Sequence, residues 1–478
     1  MSSDNNTVNN DDNIKYIRIL TYNAFIRPPF VSTLDRDYRD ERIKLIGENV
    51  FNDYDIIAFQ EMFSYLSDRV EHVIEVAKEY GLCYYWKGRK NTLFDLKSDG
   101  GLLILSRYPI VEHDIHQLIR GIHGDYFSNK SVMYAKIEVL PNKYIHFFTT
   151  HVQASYSDYP HVDQSKSVRI RLTQLTEVRN FILEKTVNTD ISEPIMLLGD
   201  LNVNSRVYEK ESNISSKEYK IMIDVLKGKR SFHHPSVGCF EFGCGWTLDK
   251  CRIKRIKCYP DENDDHNDFF EVHDIVKYFM KCHPNTLCNI FSKSYYKNND
   301  IPNVKKSLDY VFFFRKIQKS NESSSDQQLA PESNMIPKSM SQLIINKKHL
   351  LKKKSTRSLS ALNDKYIPKE RHIKDKSSDN SISLNSNDDN ILQHPLSETL
   401  TQSSNSDTDS LSSINKTEQN LVSNIQISSN DSIQKFFHDT SQYYKIKKLR
   451  IEKFKVENKP FRYLSDHFGV GFNLEIYN

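Results

Sequence analysis

Polar side chains of the types that enzymes use for catalysis recur at the ends of apolar runs along this chain. Runs such as "YDIIAFQEMF" and "EPIMLLGDLNV" are typical of buried strands, and each leads into carboxylate or amide side chains. Since strand ends can converge at one edge of a sheet while rigid backbone holds them, we expect these side chains to share one cleft. The set is Asn23, Glu61, His151, Asp200, Asn202, Asp309, Asp466 and His467.

This mixture of residue types favours hydrolysis of a phosphoester. Carboxylate and amide oxygens are hard ligands, which suit Mg²⁺ or Mn²⁺ better than zinc. A histidine paired with an aspartate is a general-base arrangement, because the carboxylate fixes the tautomer and stabilises the imidazolium. A metal ion, such a base and neutral amides together support attack of water on phosphorus. The sequence contains no Walker-type loop, no Gly-x-Ser-x-Gly motif and no kinase signature, which argues against nucleotide-dependent transfer and acyl-serine chemistry.

The elements that must position these residues indicate a mixed α/β protein from Tyr16 onward. Amphipathic helices are predicted over residues 35–51, 66–81 and 167–186, where apolar residues recur at helical spacing. Short strands are predicted between and after these helices. The run "GGLLILSRYPIVEH", residues 100–113, is predicted as one of them.

The domain organisation follows from shifts in composition. Residues 1–14 are predicted to be disordered, and residues 15–478 to form a single catalytic domain interrupted by a disordered low-complexity insertion at 317–432. In the insertion aromatic residues nearly vanish, so it cannot bury enough apolar surface to offset an ordering entropy of ~1–2 kcal/mol per residue. A sheet tolerates such an insertion because the entropy of loop closure grows only slowly with length.

Composition and charge exclude little about partners but bear on location. The net charge of +4 at pH 7 does not by itself indicate nucleic-acid binding. The basic runs "KKHLLKKK" and "KIKKLR" are interpreted as solvated charge, with contact to an anionic membrane or nucleic acid as the alternative. No secretory signal pattern and no apolar run of about eighteen residues is present, so we interpret the chain as intracellular, either cytoplasmic or peripherally bound to a membrane.

Cysteine usage is consistent with reduced thiols. Six of the seven cysteines lie between Cys239 and Cys288, near three histidines, but no Cys-x-x-Cys pair occurs. A zinc site in this Cys-rich segment therefore remains the less favoured alternative to free thiols.

Seven motifs give the chain a family resemblance. In order they are "LTYNAF", "AFQEMF", "GGLLILSRYPI", "FTTHVQASY", "LLGDLNVN", "SLDYVF" and "LSDHFGV". They resemble the motifs of the endonuclease/exonuclease/phosphatase superfamily, and the resemblance spans residues 17–476 apart from the insertion and parts of 205–300. It implies an α/β fold of the DNase-I-like type, a four-layered sandwich of two packed mixed β-sheets flanked by helices.

Within that superfamily the chain resembles the neutral sphingomyelinase group. "THVQASY", "QEMF" and "SDHFGV" are similar to motifs of that group, and "GDYFSNKSVMYAKI" is similar to its Asp-x-x-x-x-Lys segment. That segment places Asp125 five residues before Lys130, a pair that the resemblance implicates in switching the site to its active form. Ser131 departs from the glycine that the group commonly has there, which affects the backbone freedom of this loop.

The resemblance implies a metal site at one side of the cleft. Glu61 would bind the catalytic Mg²⁺, for which Mn²⁺ could substitute. Asn23 would lie nearby and orient phosphate or a metal-bound water, and Asp466 would support the metal or base region.

The resemblance also implies how the reaction is carried out. Asp200 and Asn202 would position the nucleophilic water and the phosphate. His467 would be the general base, oriented by Asp309, and His151 would stabilise charge on the phosphoryl oxygens. Lys130 would add positive charge near the phosphate once the loop that carries Asp125 swings in. The reaction would be hydrolysis of sphingomyelin to ceramide and phosphocholine by direct attack of water.

Alternatives of the same fold remain open. An abasic-site DNA endonuclease or exonuclease would use the same parts, but the Tyr-containing loop of that family is replaced here by "THVQASY", and no strongly basic surface is predicted. An inositol polyphosphate 5-phosphatase would carry a Pro-rich Cys-Asp-Arg segment where this chain has "KSLDYVF". A scaffold without chemistry is disfavoured because no catalytic position is lost. Lysophospholipids are alternative substrates.

The expected partner is a lipid membrane, contacted peripherally, and no nucleic acid is expected. The aromatic-bearing loop at 232–249 could insert at the membrane interface or pack as a surface hairpin. The sequence leaves the oligomeric state open.

Overall fold

The computed structural model describes residues 14–29, 31, 37–88, 98–155, 166–232, 258–259, 270–290, 305–317 and 431–478. All of them belong to one compact unit built from residues 1–319 and 415–478. The predicted disordered tail, apart from Ile14, and the predicted insertion, apart from three end residues, lie outside the described residues. The same holds for residues 233–249 of the aromatic-bearing loop and for the basic run at 347–354.

Two six-stranded sheets form the centre of the protein. In chain order the strands are β1 (Ile14–Ile26), β2 (Ile56–Met62), β3 (Tyr84–Lys87), β4 (Leu103–Ser106), β5 (Ile110–Gln117), β6 (Ser131–Leu140), β7 (Lys143–His151), β8 (Ile195–Asp200), β9 (Ser231–Phe232), β10 (Cys258–Tyr259), β11 (Phe270–Asp274), β12 (Asp309–Lys316), β13 (Tyr444–Glu452) and β14 (Gly469–Tyr477). Sheet 1 has the order β13-β14-β1-β2-β4-β3, and sheet 2 the order β11-β12-β8-β7-β6-β5. Each sheet is mixed, because β1 pairs with β2 and β7 with β8 in parallel while the other pairs are antiparallel.

Among the described residues, six α-helices pack against the sheets; the first four in chain order cover the outer faces, and the last two pack against the core between the sheets. They are α1 (Arg39–Val50), α2 (Arg69–Glu79), α3 (Lys166–Lys185), α4 (Lys217–Lys227), α5 (Ile275–Met280) and α6 (431–440). The helix α4 begins after Ser216, whose hydroxyl accepts a hydrogen bond from the backbone N–H of Tyr219, and ends at Gly228 in the left-handed conformation. No described helix is long and apolar enough to cross a bilayer.

Side chains along a strand point alternately to the two faces of its sheet, so each sheet can pack against a layer on either side. On β1, Ile17 and Ile19 pack into the core between the two sheets, whereas Leu20 and Tyr22 pack against α1 and α2. A third core joins the outer face of sheet 2 to α3 and α4. The predicted four-layered sandwich of two mixed sheets flanked by helices is therefore confirmed.

The predicted single strand at 100–113 is wrong in one respect. The structure divides it into β4 and β5, which belong to different sheets. The break lies at residues 107–109, which end in proline, and Pro109 cannot donate a ladder hydrogen bond. The chain therefore changes sheet at this point.

A buried polar bridge crosses between the two sheets. The side-chain amide of Gln60 donates to the hydroxyls of Thr21 in sheet 1, at 3.1 Å, and of Thr149 in sheet 2, at 3.0 Å. All three side chains are buried. Since Gln60 precedes Glu61, these bonds fix the spacing of the sheets next to the candidate catalytic residues.

Candidate active site

The strand directions bring the predicted residues to one end of the sandwich. The parallel strands β1 and β2 end near Asn23 and Glu61, and the parallel strands β7 and β8 end at His151 and Asp200. The antiparallel β12 starts at the same end, because Asp309 pairs directly with Asp200. All ten predicted residues lie among the described residues, and the contacts below connect them.

A close approach between β7 and β8 sets the position of Asp200. Gly199 has φ +141°, and a Cβ atom built on it would lie 2.2 Å from the carbonyl oxygen of Thr150. Any side chain at Gly199 would therefore force the two strands apart. The neighbouring His151 and Asp200 are held side by side as a result, with His151 Nε2 3.5 Å from Asp200 Oδ2.

His467 and Asp309 form a buried ion pair. His467 Nδ1 lies 2.9 Å from Asp309 Oδ2, and His467 Nε2 lies 3.6 Å from Asp200 Oδ2. Burial alone would lower the pKa of His467, but the carboxylates of Asp309, Asp200 and Asp466 outweigh it and hold that pKa well above its ordinary value. The imidazole is thus oriented by one aspartate and faces a second.

Asp200 is the centre of the hydrogen-bond network. Its Oδ2 accepts from Asn23 Nδ2 at 3.0 Å, and its Oδ1 accepts from the backbone N–H of Asn202 at 2.9 Å. Burial raises the pKa of Asp200 to about 6 despite the nearby His467. The Asn202 amide donates to the carbonyl of Val152, which joins the loop after β8 to the segment after β7.

The donor set around Glu61 fits a divalent cation. Asn23 Nδ2 donates to Glu61 Oε1 at 3.3 Å. Burial and the charge of Asp466 raise the pKa of Glu61 to about 7, although Lys130 and His467 act in the opposite direction. The negative charges of Glu61 and Asp466 repel each other, and a bound cation would offset that repulsion. Together with the amide oxygen of Asn23, these carboxylates supply the hard oxygen ligands that a divalent cation prefers.

A second group of possible metal ligands overlaps the ion pair. Asp200, Asp309 and His467 are buried and offer ligand atoms within 4.8 Å of one another, so they could hold a metal ion. Because His467 Nδ1 is already hydrogen-bonded to Asp309, this group also has the geometry of an acid–base pair. Within the described residues it is the one cluster in which three His, Cys, Asp or Glu side chains could bind the same ion, and it contains no cysteine. Cys282 and Cys288 are free thiols.

The predicted switch pair is formed in this structure. Lys130 Nζ lies 3.1 Å from Asp125 Oδ1, and the lysine is buried. Burial, Lys130 and His467 together hold the pKa of His151 well below its ordinary value, which keeps that imidazole neutral. The Nδ1 atom of His151 is buried and has no hydrogen-bond partner among the described residues. Lys130 thus brings a positive charge near Glu61, and His151 brings a neutral imidazole beside Asp200.

Sequence reasoning missed the residues of α3 that support the Asp125–Lys130 pair. Arg171 donates to the carbonyl of Gln153 at 2.7 Å, and the Gln174 side chain accepts from the Gln153 N–H at 2.8 Å. The next backbone N–H, that of Ala154, donates to Asp125 at 2.7 Å. Gln153 is part of the motif "THVQASY", but that motif does not indicate which helix residues bind Gln153.

Arg42 was also missed, although it supports the segment that carries the catalytic histidine. Its guanidinium has no exposed surface and donates to the carbonyls of Asp37, Ala24, Phe25 and Leu464 at 2.7–3.0 Å. Burial lowers its pKa to about 10. These bonds tie α1 to the residues just before Asp466 and His467.

Replacing Arg42 by methionine is expected to destabilise the protein by about 3–5 kcal/mol, because four backbone carbonyls would lose a buried charged donor. Urea unfolding would measure the loss. Arg450→Met is the matched control, since Arg450 is exposed and its partners among the described residues are Glu452, Tyr54 and the carbonyl of Lys448. A loss for Arg42→Met no larger than that of the control would contradict the assigned role.

Comparison with known proteins gives a family and several named relatives. The model of the Endonuclease/Exonuclease/phosphatase family matches residues 21–326. A sphingomyelinase of Dictyostelium discoideum is 35% identical over 244 residues, which cover 41% of this chain and 52% of that protein. A sphingomyelinase C of Bacillus cereus is 30% identical over 223 residues, which cover 44% and 63%. The chain thus spans about half the length of the curated relatives it matches.

Solved structures are similar over part of their length. Beta toxin from Staphylococcus aureus, with bound magnesium ions, is 24% identical, with 45% of this chain and 71% of that chain covered and a TM-score of 0.37. Sphingomyelinase C from Streptomyces griseocarneus is 22% identical, with 45% and 70% covered and a TM-score of 0.37.

Proposed function

The chain belongs to the Endonuclease/Exonuclease/phosphatase family, and on this premise we propose that it is a Mg²⁺-dependent phosphodiesterase that hydrolyses sphingomyelin to ceramide and phosphocholine. One observation carries the proposal. The buried His467–Asp309 pair faces Asp200 within 3.6 Å, at the end of the sandwich where Glu61 also lies. This arrangement supports our proposal that His467 is the base, that Asp200 positions water and that Glu61 binds a cation.

Glu61, Asp466 and Asn23 would hold the metal, which we propose to be Mg²⁺ with Mn²⁺ as a substitute. Their oxygens are hard ligands, and the raised pKa of Glu61 indicates uncompensated negative charge. When bound, the cation would supply positive charge that offsets these carboxylates and the charge of the phosphodiester.

His467 acts as the general base in this proposal. In the neutral form of the ring, Nδ1 donates its proton to Asp309, so that Nε2 would take the proton from water. The carboxylates around His467, which raise its pKa, would stabilise the imidazolium that forms. Asp200 and Asn202 would orient that water and a phosphate oxygen. The water oxygen forms the new bond to phosphorus, the bond to the ceramide oxygen breaks, the ceramide oxygen takes up a proton from solvent, and no phospho-enzyme is formed.

Lys130 and His151 would stabilise the phosphoryl oxygens. Lys130 lies near Glu61 and His151 beside Asp200, and because His151 is neutral it would donate a hydrogen bond without requiring a protonated ring. Asp125 fixes the lysine through their 3.1 Å contact.

Lys130→Ala is expected to lower kcat by about a hundredfold, because one charged donor to the developing negative charge is removed. Asp125→Ala should act through the same lysine, so the double variant should fall little below either single variant. Lys136→Ala is the control, since Lys136 lies on β6, the strand that Lys130 directly precedes, but pairs with Glu193. A kcat for Lys130→Ala close to that of the control would remove Lys130 from the mechanism.

A lipid substrate is favoured over DNA for two reasons. The relatives with 30% identity or more include proteins named sphingomyelinase, and the Asp125–Lys130 pair that the sphingomyelinase resemblance implies is formed here. We propose that the protein contacts the membrane surface peripherally to reach its substrate. Lysophospholipids are the second candidate substrate, and abasic-site DNA the third.

A substrate panel tests this proposal. The purified protein with Mg²⁺ would receive sphingomyelin vesicles, lysophosphatidylcholine micelles and an abasic-site duplex. We expect release of phosphocholine from sphingomyelin, abolished by a chelator. Cleavage of the duplex without phosphocholine release would overturn the assignment in favour of a nuclease.

A further inference from the structure

We propose that Thr286 is a positioning residue that aligns the His467–Asp309 pair; the proposal deepens the function proposed above and rests on it. Thr286 lies in the segment 284–290, a part of the chain that the family motifs do not reach. This segment, which we call the strap, runs between the start of β12 and the residues before β14. It contacts both members of the pair through their backbones.

On one side the strap holds Asp309. The hydroxyl of Thr286 accepts hydrogen bonds from the backbone N–H of Leu308 at 3.0 Å and of Asp309 at 3.4 Å. The backbone N–H of Thr286 donates to the carbonyl of Lys306 at 2.8 Å. A single side chain therefore fixes the backbone from which the Asp309 carboxylate projects.

On the other side the same residue holds the segment of His467. The carbonyl of Thr286 accepts from the N–H of Phe468 at 2.7 Å. A single antiparallel β-bridge joins Leu287 to His467, and the N–H of Cys288 donates to the carbonyl of Asp466 at 2.6 Å. The backbone is thus held before, at and after the catalytic histidine.

This double contact is needed because the two partners have independent supports. Asp309 begins β12 in sheet 2, His467 precedes β14 in sheet 1, and they are 158 positions apart in the chain. A displacement of about 1 Å between reacting groups can lower a rate by about a hundredfold. Thr286 has no exposed surface, so it cannot touch substrate and must act through the pair.

The experiment compares Thr286→Ser, which keeps the hydroxyl, with Thr286→Ala, which removes it, in the full chain. We expect Thr286→Ala to lower kcat about tenfold to a hundredfold with KM changed less than about threefold. Thr286→Ser should stay within about threefold of the wild type. Thr186→Ala is the matched control. Thr186, which follows α3, is equally buried, and its hydroxyl donates to the carbonyl of Ile182 in that helix.

A spectroscopic measurement separates positioning from stability and from the choice of substrate. The low-field proton resonance of the hydrogen bond between His467 Nδ1 and Asp309 Oδ2 should be present in the wild type and in Thr286→Ser, and shifted or lost in Thr286→Ala. Thr286→Ala with an unchanged resonance, or with a kcat like that of Thr186→Ala, overturns the proposal. If the wild type releases no phosphocholine but the resonance depends on the hydroxyl, the positioning role stands and the proposed substrate is wrong.

Discussion

His467→Ala is expected to lower kcat by about 10⁴-fold while the protein stays folded. Asp309 orients the imidazole, and its Nε2 faces Asp200, so the substitution would remove the proposed acceptor of the water proton. The measurement is phosphocholine release at saturating substrate, with circular dichroism as the test of folding.

Three further variants make this result specific. His438→Ala is the control, because His438 is exposed and lies in α6, which contains none of the predicted site residues. Asp309→Ala should cost less than His467→Ala, and the double variant should fall no further than His467→Ala alone, since the two residues act as a unit. Independent, multiplying effects of the two substitutions would contradict the pair.

Glu61→Gln is expected to abolish activity and yet stabilise the metal-free protein above neutral pH. The pKa of Glu61 in the folded protein is about 7, against 4.5 for an ordinary glutamate. The folded state therefore holds this proton more tightly than the unfolded state, and wild-type stability falls as pH rises from about 4.5 through 7. The variant has no charge to bury, so at pH 8 its free energy of unfolding should exceed that of the wild type by up to about 3 kcal/mol.

Urea unfolding with a chelator at pH 4.5 and pH 8 would measure this difference, and Mg²⁺ titration would show whether the variant has lost its response to the ion. Glu177→Gln is the matched control, because burial also raises the pKa of Glu177 to about 7, but on α3. That control should gain stability and keep both activity and the response to Mg²⁺. Equal stability of Glu61→Gln and the wild type at pH 8 would argue against the charge conflict at Glu61.

Much of the architecture could be predicted because strands and helices have characteristic patterns of apolar residues over short stretches of sequence. Buried strands are apolar runs, and helix α3 shows its buried face at Ile170, Leu175 and Ile182 through their spacing. The family and the fold follow from those runs together with the motifs at their ends, and the structure brings the predicted polar residues to one place. Their individual roles stay predictions until the variants above are measured.

The supports of the site could not be predicted, and the reason is physical. Arg42 and Thr286 act by hydrogen bonds to backbone carbonyls or N–H groups, and every residue carries those groups. Such contacts depend on which segments the fold brings together, so they leave no pattern of paired side chains in the sequence. The edge strand β3 was missed for another reason, since it is only four residues long and half of its residues are exposed.

The pairing of β1 with β14 has a consequence for how the protein is made. On a ribosome, β1 is synthesised shortly before its parallel neighbour β2, but its other edge stays open until β14 is synthesised. Until then the nascent chain presents an unpaired strand flanked by two incomplete cores, which is the kind of surface that chaperones protect. Because only Phe468 separates His467 from β14, the pairing of β14 with β1 also brings in the proposed base.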